Sequence, residues 1–177
     1  MWNHGGNNRI LILDMDGTIA DTYSYPDWAG ILRGHVKDPW NECGKVDPNE
    51  VYRMFVDVNP MITAKDLQAF CNSWDETVVF SMVPWDATDE VIVSTVKAKL
   101  LWLHTHFPFL KNIVITKFKD EKNYINPLDV KYIHFETIPF TWQPGESDTL
   151  VDDNEKLLNS FIGNSMPPPW PHRGRGD

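Results

Sequence analysis

The stretch Ile10-Leu11-Ile12-Leu13-Asp14-Met15-Asp16-Gly17-Thr18 decides the fold. Its four aliphatic residues show no polar alternation, so they read as a short strand buried on both faces, the situation of a strand in the parallel sheet of an α/β protein. The run ends in two carboxylates two residues apart on an extended chain, which project to one side before Gly17 lets the backbone turn. Two acids so placed can share one cation. From average residue usage, D-x-D-G-T directly after such a run arises by chance in roughly one chain in a thousand. An EF-hand loop started at Asp14 would put Ile19 at its glycine position and Tyr25 at its last acidic position, which excludes that reading.

Three more short apolar runs lie further along, at 77–80, 112–116 and 149–151. The first ends at Ser81, the second is followed by Lys117, Lys119 and Lys122, and the third ends at Asp152 and Asp153. Open α/β sheets bind ligands beyond the carboxyl ends of their strands, and each run here ends in residues able to do chemistry. The expected architecture is a Rossmann-like three-layer α/β sandwich with a parallel sheet.

Ile92, Val96, Leu100, Leu103 and Phe107 recur at helical spacing, with Asp86 or Thr88 available as an N-cap, and predict a crossover helix. Helices are also expected from Ala64 to about Trp74, with Thr63 and Asp66 as a capping-box-like start, and over residues 154–162. Residues 21–62 hold Pro26, Pro39, Pro48 and Pro60 among short apolar clusters and predict a small cap insertion. Residues 120–146 read as a second insertion with a strand at 131–135. One domain is expected over 1–165, followed by a Pro/Gly-rich tail at 166–177.

The composition narrows the partners. A formal net charge of -9 repels a phosphate backbone, and the one basic cluster, Arg173 with Arg175, lies in the tail, so no long nucleic acid is expected. Cys43 and Cys71 lack zinc-ligand spacing and read as reduced thiols, which points to the cytoplasm. Residues 1–9 are polar and the following apolar run is too short for a signal or a membrane span, so no membrane partner is expected. His104 and His106, two apart on a helix, face different ways and make no metal pair.

The order of Asp14-x-Asp16-Gly17-Thr18, Ser81, a lysine and Asp152-Asp153 resembles the four motifs of the haloacid dehalogenase (HAD) superfamily, over most of residues 10–162. The resemblance implies a phosphatase in which Asp14 attacks phosphorus and Asp16 is the general acid and base. Ser81 and a lysine would bind phosphate, with Thr18 beside them. Mg²⁺ would be held by Asp14, the Asp16 backbone carbonyl, Asp152 and Asp153. The segment 113–119 resembles the one carrying the phosphate-binding lysine in 5'(3')-deoxyribonucleotidases, which favours Lys119. Lys122 is the alternative, because that lysine lies later in some small phage-encoded relatives.

Lys99-Leu100-Leu101-Trp102 also resembles a K-x-x-W pattern of the nucleotidase branch, though a core Trp beside a surface Lys reads equally well. The expected substrate is then a nucleoside or deoxynucleoside 5'-monophosphate. Trp28, Trp40, Tyr23 and Tyr25 in the cap would either stack its base or fill the cap's own core. The competing functions are a 3'-end phosphatase on nucleic acid and a non-catalytic binding module on the same scaffold.

Overall fold

The computed structural model describes residues 8–35, 45–84, 86–117 and 121–172. Six strands form one sheet: β1 (Ile10–Leu13), β2 (Glu76–Met82), β3 (Asn112–Thr116), β4 (Val130–Phe135), β5 (Thr149–Val151) and β6 (Asn164–Met166), in the order β4-β3-β2-β1-β5-β6. Every neighbouring pair is parallel except β3 with β4, which is antiparallel. The four expected runs are β1, β2, β3 and β5. β6, which falls where the tail was expected to begin, pairs Ser165 with Leu150.

The unbroken aliphatic run of β1 has a direct cause in the layers around it. Leu11 and Leu13 enter one apolar cluster, and Ile10 and Ile12 enter another on the opposite face. All four are fully buried, and each such burial stabilises the fold by about 1.5–3 kcal/mol.

The first face is covered by α2 (Pro48–Asp57), α3 (Ala64–Cys71) and α4 (Asp89–His106), preceded by a 3₁₀ turn at Thr22–Ser24 and the short α1 (Trp28–Arg33). Thus α2, within the segment expected as a cap, contributes Val51, Met54 and Phe55 to the same cluster as the sheet. Each longer helix starts on a side-chain cap: Asp47 accepts from Asn49 N, Thr63 from Asp66 N and Thr88 from Val91 N. The second face is covered by α5 (Glu155–Ser160) and by Ile125, Ile138 and Trp142, so the second insertion supplies half a layer.

β1 lies between β2 and β5, so the strand order reverses at β1, and the carboxyl end of such a strand is where open α/β sheets bind ligands. No helix among the described residues is long and apolar enough to cross a membrane.

Candidate functional site

Asp14 stands one residue past β1, at that reversal point. Its N–H donates to the Val151 carbonyl at 3.0 Å, so the ladder with β5 continues through it and fixes its position. Its carboxylate accepts from Lys122 Nζ at 2.7 Å on Oδ1 and from Thr18 Oγ1 at 3.0 Å on Oδ2. The turn that brings Thr18 back has Gly17 at φ +78°, and a Cβ there would collide with the Asp153 carboxylate and the Tyr23 ring. Glycine is required on both counts.

Asp152 and Asp153 arrive from the end of β5. Carboxylate oxygens of Asp14, Asp152 and Asp153 all lie within 4.8 Å of one another, a separation at which three oxygens can hold one cation. The cluster conflicts with itself in the absence of such a charge. Burial, and after it the charge of Asp152, raises the pKa of Asp14 despite the opposing Lys122. Asp153 is pushed up to about 9 by burial and then by the charges of Asp14 and Asp152.

Among the described residues, Lys122 is the cation that bonds to the cluster. It is buried and bonds Asp14, Asp152 Oδ2 at 2.9 Å and the Phe80 carbonyl at 3.0 Å. Burial would lower its pKa, but the charges of Asp14 and Asp152 outweigh it and raise it. Side-chain amides pin the irregular chain that carries it. Gln143 donates to the Ile125 carbonyl and accepts from the Ile125 N–H, and Asn123 makes the same pair of bonds to the Ser160 carbonyl and the Ile162 N–H. Both amides imitate a strand partner where no strand runs.

Asp16 belongs to a second arrangement. Its carboxylate accepts from Thr22 Oγ1 at 2.6 Å and from Lys99 Nζ at 2.7 Å, and it is not among the three converging acids. Lys99 is fully buried and also donates to Ser81 Oγ at 2.8 Å and to the Met82 carbonyl at 2.7 Å. Ser81, near the end of β2, is therefore joined to Asp16 through one ammonium group. Trp102, one helical turn on, is buried and donates to the Val58 carbonyl at 2.8 Å.

The K-x-x-W pattern contains Lys99 without giving it a place in the site, and no sequence motif marks Thr22. The signal for Lys99 was a lysine on a helical face otherwise made of Thr95, Ala98, Trp102 and Leu103, all buried. Lys119, the favoured lysine, and Trp40 fall outside the described residues. Lys117 is exposed. Tyr23 lies beside Gly17 and meets Trp28 edge-on at 4.8 Å, while Trp28 and Tyr25 pack on the first-face cluster.

No protein-family model matches the chain, and no curated protein matches it at a significant level. The geometry by itself gives an α/β domain with a mostly parallel sheet and a largely buried acidic triad, Asp14, Asp152 and Asp153, able to hold a metal ion.

Proposed function

We propose that the protein is a Mg²⁺-dependent phosphomonoester hydrolase with Asp14 as covalent nucleophile. The observation that carries this reading is the placement of Asp14: at the strand end, bonded to Lys122 and Thr18, and within ligand distance of Asp152 and Asp153. An all-oxygen donor set suits a hard cation, and burial first, with repulsion between the acids second, raises the pKa values of Asp14 and Asp153, a cost that such a cation would offset. Mg²⁺ held by Asp14, Asp152, Asp153 and the Asp16 backbone carbonyl would neutralise charge on the acids and on a bound phosphate.

In this reading an Asp14 carboxylate oxygen bonds to phosphorus as the bond to the leaving oxygen breaks. Asp16, aimed by Lys99 and Thr22, gives its proton to that oxygen. Water then attacks the aspartyl-phosphate, Asp16 takes the proton back, and phosphate leaves. The Lys122 ammonium, whose three N–H groups are held by Asp14, Asp152 and the Phe80 carbonyl, would supply positive charge beside the phosphate, and the Ser81 hydroxyl and Lys119 are the candidate donors to its oxygens.

The proposed substrate is a nucleoside or deoxynucleoside 5'-monophosphate, with Tyr23 as the aromatic group nearest the Gly17 turn. Base stacking on it would contribute about 1–3 kcal/mol. The experiment is hydrolysis of an aryl phosphate with Mg²⁺ and with EDTA, in wild type and Asp14→Asn, followed by nucleotides against sugar phosphates. Turnover that needs neither Mg²⁺ nor Asp14 rejects the mechanism. Equal rates on nucleotides and sugar phosphates reject only the nucleotide assignment.

A further inference from the structure

After β6 the chain turns back toward the loop that carries Asp14 and Asp16. Residues 167–169 are three consecutive prolines, a stiff extended segment with little freedom to lose on docking. Pro168 is buried, and the Trp170 ring meets Phe70 of α3 edge-on, with centroids 5.3 Å apart and planes at 87°. From that seat the indole Nε1–H of Trp170 donates to the backbone carbonyl of Thr18 at 2.7 Å, across 152 residues of sequence.

Thr18 is fully buried, so a carbonyl deprived of this donor has no ready access to solvent. The same residue donates its hydroxyl to Asp14 Oδ2 at 3.0 Å. The two hydrogen bonds act in series through one residue: a displacement of Thr18 away from Trp170 carries its hydroxyl away from Asp14. Within the loop the N–H groups of Thr18, Ile19 and Ala20 all donate to the Met15 carbonyl and that of Gly17 to Ala20, and its far end is tied to residues 59–61, with the Met61 N–H donating to the Ile19 carbonyl at 2.9 Å and the Asp21 N–H to the Asn59 carbonyl at 2.8 Å. Trp170 therefore anchors the turn to a different part of the molecule, the α3 surface.

We propose that Trp170 is a positioning residue: its indole N–H fixes the Thr18 peptide and, through the Thr18 hydroxyl, the orientation of the Asp14 carboxylate. The effect of Trp170 on turnover rests on the phosphohydrolase reading; its effect on Asp14 does not. Displacement of a reacting group by a fraction of an ångström costs on the order of 10- to 100-fold in rate, with little change in the ground-state binding of substrate.

Two replacements separate the N–H from the ring. Trp170→Phe keeps an aromatic edge against Phe70, and β-(3-benzothienyl)alanine at position 170 keeps the whole bicyclic shape without the donor, which guards against a packing defect in the first. In both, the Asp14 Cγ resonance in the ¹³C spectrum should shift, and the amides of Gly17 to Ala20 should exchange roughly 10-fold faster with no global loss of protection. The kcat on an aryl phosphate should fall about 10- to 100-fold, with KM held within about two-fold. An unchanged Asp14 resonance with unchanged loop exchange in both proteins overturns the proposal. So does a kcat retained within about two-fold of an active wild type. A wild type without phosphatase activity, but with an Asp14 resonance that responds to both replacements, overturns the hydrolase reading and leaves the Trp170 role standing.

Discussion

Lys122 Nζ lies 2.7 Å from Asp14 Oδ1 although the residues are 108 apart in sequence, and the same ammonium reaches Asp152 at 2.9 Å. One cation thus answers two carboxylates at the centre of the acidic cluster. Lys122→Met leaves both acids buried without their partner, and breaking a buried pair from one side costs about 3–5 kcal/mol. Urea unfolding in EDTA should show a loss of that order, and saturating Mg²⁺ should recover part of it. A loss of the same size with and without Mg²⁺ would mean that no divalent cation compensates these acids.

Asp14→Asn keeps the shape and the acceptor for Lys122 but removes one negative charge from the triad. Turnover should fall on the order of 10⁴-fold, because the group acts in the chemical step. The metal-free protein should melt no lower than wild type, since repulsion with Asp152 and Asp153 is relieved. A folded Asp14→Asn protein with full activity would remove Asp14 from the chemistry.

Mg²⁺ should stabilise the wild type through the same three carboxylates. A ligand at about 100 times its Kd adds about 2.7 kcal/mol, which for a chain of this size is a rise of about 5–10 °C in Tm. Calorimetry with Mg²⁺, Ca²⁺ and EDTA tests this. Ca²⁺ should also raise the Tm yet support little turnover, because its longer and looser coordination misplaces the nucleophile. A Tm that ignores both ions argues against a metal at these acids.

His35 predicts a pH effect far from the triad. Its Nδ1 lies 2.9 Å from Asp27 Oδ2 and its Nε2 lies 2.8 Å from Glu50 Oε1, so both ring nitrogens donate only when the imidazole is charged. The hydrogen bond to Glu50, ahead of the two carboxylate charges, raises its pKa above the ordinary 6.5. A histidine with a raised folded pKa contributes stability that is complete below the unfolded value and disappears as pH rises through the folded one. His35→Gln should therefore melt below wild type at about pH 5.5 and level with it at about pH 9. A deficit that does not depend on pH would assign His35 a role in packing alone.

The sheet could be read from the sequence where a strand is buried on both faces, because burial forces an unbroken aliphatic run; β1 and β3 are of this kind. β6 was missed because Asn164-Ser165-Met166 lies at the sheet edge, with Asn164 and Ser165 exposed, and carries no apolar run. The acids of the triad were legible from their place after β1 and β5. Lys99 and Thr22 were not, because their significance lies in contacts with Asp16 that are 83 and six residues away along the chain. Lys119 is favoured by the resemblance of segment 113–119 alone, whereas the bonds by which Gln143 and Asn123 hold the irregular segment around Lys122 join residues 18 to 39 apart and leave no mark in the sequence.

The central place of β1 also sets a timetable for the newborn chain. β1 is made before the other described strands, and β5, one of its two neighbours, lies about 138 residues later, so at about 5–20 residues per second synthesis separates Asp14 from Asp152 by about 7–28 s. Throughout that interval one long edge of β1 lacks its partner, and a cation at Asp14 lacks the other two carboxylates of the triad. Chains paused before residue 149 should therefore be the ones that recruit holdase chaperones, and magnesium in the medium should not rescue them.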